Sequence, residues 1–74
     1  MKNYRIELKS DLPHQQRVIE EANELGIKIH ALKFFIEANP IYIKLDVHEC
    51  DRLKQQLSHM ISYFEVLYDR IINF

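Results

Sequence analysis

Four histidines and one cysteine are the chemically most versatile side chains in this sequence, and their spacing limits what they can do. His48 and Cys50 form a short pair of possible metal ligands, but closed zinc sites usually need four. Cys50 and His59 lie nine residues apart on one expected helix, roughly 13 Å at 1.5 Å per residue. They cannot share an ion. His14 and His30 fall on other elements, so no metal site is expected. Cys50 near a helix N-terminus is a candidate nucleophile, yet no base is placed to complete a nucleophilic pair. It reads as a small core residue. A phosphate site in the first loop would want glycine or arginine, and Ser10-Asp11-Leu12-Pro13 offers neither. No catalytic residue and no cofactor are expected.

Bulk properties narrow the partners. The formal net charge is -1 and the pI about 6.4, which argues against bulk attraction to nucleic acid or anionic lipid. No stretch approaches the roughly 20 apolar residues of a membrane span, and residues 1–12 do not read as a signal peptide. A cytoplasmic protein is the expectation. Seventy-four residues with 47% apolar side chains make one globular domain, 1–74, with a thin core. One cysteine cannot staple it, so association with another chain is the expected supplement.

The elements that would position these residues follow from hydrophobic periodicity. Tyr4, Ile6 and Leu8 alternate with charged residues, as in a half-buried strand. Val18, Ile19, Ala22 and Leu25 recur at helical spacing after Pro13, which suits a first helical turn. Gly26, the only glycine, stands where a left-handed C-terminal cap belongs. A second strand is expected from Ile27 to about Glu37, a turn at Asn39-Pro40, and a third strand from Ile41 to Val47. A second helix begins near Glu49, carrying Leu53, Leu57, Met60 and Ile61, and a fourth strand spans Phe64 to about Ile72. The expected fold class is α+β: a ferredoxin-like βαββαβ unit, with a four-stranded antiparallel sheet in the order 4-1-3-2 and two helices on one face. Strand two would be an exposed apolar edge, so Leu32, Phe34 and Ile36 are expected to pair a homodimer. RNA-binding domains use the same plan, but only Tyr42 supplies an aromatic where they place several.

Arg17-Val18-Ile19, Gly26-Ile27-Lys28-Ile29, the run Ile41–Val47 and the block Gln56–Val66 resemble the ACT domain family. The nearest likeness is to the small regulatory subunits of acetolactate synthase of the isozyme II type. The resemblance implies a non-catalytic subunit that binds and activates the thiamine-diphosphate-dependent acetolactate synthase large subunit in branched-chain amino-acid biosynthesis. It also implies an effector position, for a branched-chain amino acid, at Asp11, Leu12, His14 and Lys28. Effector-binding members carry glycine and asparagine where this chain has His14 and Lys28, so valine binding is expected to be weak or absent. The alternative reading is a stand-alone ACT-like module that senses an amino acid or regulates another enzyme.

Overall fold

The computed structural model describes residues 3–74, and in it the chain is a helical hairpin. Helix α1 spans Pro13–Ala38, a single 3-10 turn spans Tyr42–Lys44, and helix α2 spans Val47–Ile72. Each helix has 26 residues, about 39 Å at 1.5 Å per residue, and the molecule measures 46 × 19 × 17 Å. Residues 3–10 run extended across the pair without forming a ladder. Among the described residues there is no strand.

Local chemistry sets the ends. Pro13 opens α1 after Leu12, whose carbonyl accepts from the amides of Gln15 and Gln16 at 3.0 and 2.9 Å. The Ser10 hydroxyl accepts from the Leu12 amide at 3.2 Å. Asn39 closes α1, its amide donating to the Phe35 carbonyl at 3.2 Å, and Pro40 cannot continue the helix. Asp46 caps α2 by accepting from the His48 amide at 2.9 Å. Glu49 stands in its first turn, where the helix dipole favours an acid.

The core is small. It consists of Ile6, Ile19, Ala22, Ile29, Phe64, Leu67 and Ile71, with Val18, Leu25, Leu57, Met60 and Ile61 half-buried around it. Phe64 is fully buried at its centre and takes the Tyr4 ring edge-on, centroids 5.2 Å apart. The extended segment is tied down by one side chain. Asn23 accepts from the Ile6 amide at 2.7 Å and donates to the Ile6 carbonyl at 3.1 Å, standing in for a neighbouring strand. Asn23→Ala leaves both groups of a buried residue unpaired, and should lower stability by about 1–3 kcal/mol in denaturant melts. Asn23→Asp keeps the acceptor but sets a carboxylate oxygen against the Ile6 carbonyl, so it should destabilise as well.

These facts overturn the ferredoxin-like reading. Among the described residues there is no βαββαβ order, no four-stranded sheet and no edge strand at Leu32, Phe34 and Ile36. Gly26 does not end a helix. It is buried within α1 and does not have positive φ. Its role is close approach: a Cβ there would collide with the backbone carbonyl of Tyr4, which crosses directly over it. Beyond Gly26 the alternation of Ile27 and Ile29 is real but helical, because the two lie on opposite sides of α1. Ile29 is fully buried against the hairpin, while Ile27 is 69% exposed. In 41–47 the alternation falls on the turn and the α2 cap. In 64–72 the helical spacing of Phe64, Leu67 and Ile71 simply continues the stripe of Leu57, Met60 and Ile61.

Candidate functional site: an open apolar face

A two-helix hairpin has one internal seam, so apolar residues elsewhere on its helices stay in water. Several are exposed toward the open end, among them Leu8, Leu12, Val66 and Ile72, and the most exposed lie in the tip half, toward the turn. Ile43 is 81% exposed, Ile27 69%, Phe34 68% and Val47 64%, the four highest exposures among the large hydrophobic residues; Ile41 adds to them. Scattered exposed hydrophobes are ordinary on a monomer, and a cluster at one end marks a contact surface.

On α1 the face is ordered. Ile27, Ala31, Phe34 and Ala38 recur at intervals of four, three and four residues, so they form one stripe. The other side of α1 is taken by Ala22, Leu25 and Ile29 against α2. Beside the stripe runs an open groove of about 550 Å³ lined by His30, Ala31, Lys33, Phe34 and Glu37. His30 Nε2 donates to the Asn3 carbonyl at 2.7 Å, and its ring meets Tyr4 edge-on at 5.7 Å. The extended segment and the groove therefore share a border.

The turn has its own anchor. Tyr42 packs edge-on against Phe35, centroids 6.1 Å apart. The Cys50 thiol donates to the Tyr42 carbonyl at 3.4 Å, so the cysteine holds the turn onto α2. The Tyr42 hydroxyl oxygen is covered and has no hydrogen-bond partner among the described residues. Burial lifts its pKa above the usual phenol range, and Cys50 and Asp51 add to the rise. With Tyr42 tucked inward, Ile41 and Ile43 on either side of it project into water.

The residues expected from the sequence are dispersed. Asp11, Leu12 and His14 are exposed around the start of α1. Lys28 is exposed 14 residues beyond His14 on the same helix, about 21 Å away along the axis, so the four do not converge. Leu32 and Ile36 are half-buried on the side facing the hairpin, and Phe34 points away from them. Of those three only Phe34 belongs to the open face. Ile27, Ala31, Ile41, Ile43 and Val47 lie in the same tip half without standing out in the sequence as site residues, because apolar residues alternating with polar ones read as the buried side of a strand. Among the described residues no three His, Cys, Asp or Glu groups are placed to hold a metal ion. No helix of the described residues is long and apolar enough to cross a membrane.

A family model described as Sequestin matches residues 12–73, which take in the whole of both helices. It replaces the ACT resemblance, as the fold does. No curated protein and no solved structure matches the chain.

Proposed function

The chain belongs to the Sequestin family, and from that premise we propose that it works by stoichiometric binding, holding a protein partner on the apolar face of its tip half. The family's name speaks of sequestering and does not say what is held. The observation that carries the reading is that the four most exposed large apolar side chains lie in the tip half, with Ile43 foremost. Such a surface suits a partner that brings its own apolar anchors. A preformed helical hairpin offers it with little ordering cost. Of the regulatory-subunit expectation, this keeps the coarse part: a chain that acts through another protein. The acetolactate synthase partner rested on the ACT resemblance and loses that support.

The test is a photo-crosslinking amino acid at position 43, with position 54 on the polar side of α2 as control, in the cells that make the protein. Position 43 should give a discrete adduct with a protein other than this chain, and position 54 should not. No adduct at 43, or the same pattern at both positions, would overturn the reading.

A further inference from the structure

The α1 stripe carries more than general stickiness, because its large and small residues alternate. We propose that it pairs antiparallel with the same stripe of a second copy, so that the working form is a dimer with α1 against α1. This rests on the reading of the tip half as a contact surface, and it assigns the α1 side of that surface to self-pairing.

In an antiparallel pair centred between Leu32 and Lys33, Ile27 of one copy meets Ala38 of the other, and Ala31 meets Phe34. The two-fold axis repeats both layers. Every layer then sets one large side chain against one alanine, which fills space without crowding. A parallel pair would set Phe34 on Phe34 and Ala31 on Ala31, leaving one layer overfull and the next empty. The edges agree as well. His30 and Glu37 lie on the same border of the groove, and the antiparallel pairing brings His30 of one copy beside Glu37 of the other. Both copies present the same patch, as a two-fold contact requires.

The chain exposes 5602 Å², whereas a compact monomer of 9.0 kDa would expose about 4,900 Å²; the surplus follows from the elongated 46 × 19 × 17 Å hairpin, whose long α1 face leaves room for a second copy. The pairing leaves Ile43, on the turn rather than on α1, to a different protein.

Light scattering at tens of micromolar should give twice the 9.0 kDa chain mass. Phe34→Glu should give the single mass with unchanged helicity, since Phe34 is exposed in the isolated hairpin. The register is read by cysteine pairs in a Cys50→Ser background. Ile27→Cys with Ala38→Cys should give a covalent dimer when treated with copper phenanthroline, because those positions are too far apart on one helix to join within a chain. Ile27→Cys alone should give none. A monomer at every concentration, or a covalent dimer from Ile27→Cys alone, would overturn the proposal. If the chain is monomeric and position 43 still crosslinks another protein, self-pairing fails and the binding reading stands.

Discussion

Gly26→Val should lower the melting temperature by roughly 8–25 °C, from a loss of about 2–3 kcal/mol in a domain of this size. The physical reason is specific to one crossing. The Tyr4 carbonyl lies where the first side-chain carbon would go, and it belongs to backbone, which cannot rotate aside. The extended segment must lift, and lifting it uncovers Ile6, removes Tyr4 from Phe64 and breaks both Asn23 bonds. Gly26→Ala separates this cause from helix propensity. Alanine alone should favour α1 by about 1 kcal/mol, so a less stable Ala variant shows that the collision outweighs the gain in propensity. A Gly26→Ala protein more stable than the parent would show that the segment contributes little.

Phe64→Ala should be more damaging still. Phe64 is fully buried, and it joins α1, α2 and the extended segment in one cluster. Truncating a core phenylalanine costs about 3–5 kcal/mol. A single thin core of this size supplies no more than about 3–5 kcal/mol in total. The variant should therefore lose most of its helical circular dichroism at 25 °C rather than melt at a lower temperature. Phe34→Glu makes the contrast, for its ring lies outside the core and its loss should leave the monomer folded.

How much of this is legible in the sequence depends on the segment. The start of α1 at Pro13 and the turn at Asn39-Pro40 follow from residues with narrow conformational demands, and both hold. Gly26 misleads because glycine serves both a left-handed cap and a close approach, and only the neighbour across the crossing distinguishes them. That neighbour, Tyr4, is 22 residues away in sequence. The alternation at 27–29 misleads because α1 is apolar on two sides, one for α2 and one open. A helix with two apolar faces shows period two over short windows as well as period 3.6. The stripe Leu57, Met60, Ile61, Phe64, Leu67 and Ile71 is the clearer signal. It passes through 61–64 without glycine or proline, so nothing in the sequence requires a break there.

The candidate face is hidden for the same reason. Ile41, Ile43 and Val47 read as the inward side of a strand, which assigns their apolar character to a core. Once 41–47 is a turn, those residues have nothing of their own chain to cover them. An apolar residue without a core to join is the feature that points to a partner.

Ile27, Ala31, Phe34 and Ala38 share one face only because α1 is continuous through Gly26. Backbone chemical shifts measured by nuclear magnetic resonance over residues 27–37 test this most directly. Cα shifts displaced to the helical side without interruption from His14 to Glu37 are the expected result. Shifts on the strand side from Ile27 onward, with a break at Gly26, would contradict the hairpin and the open face built on it.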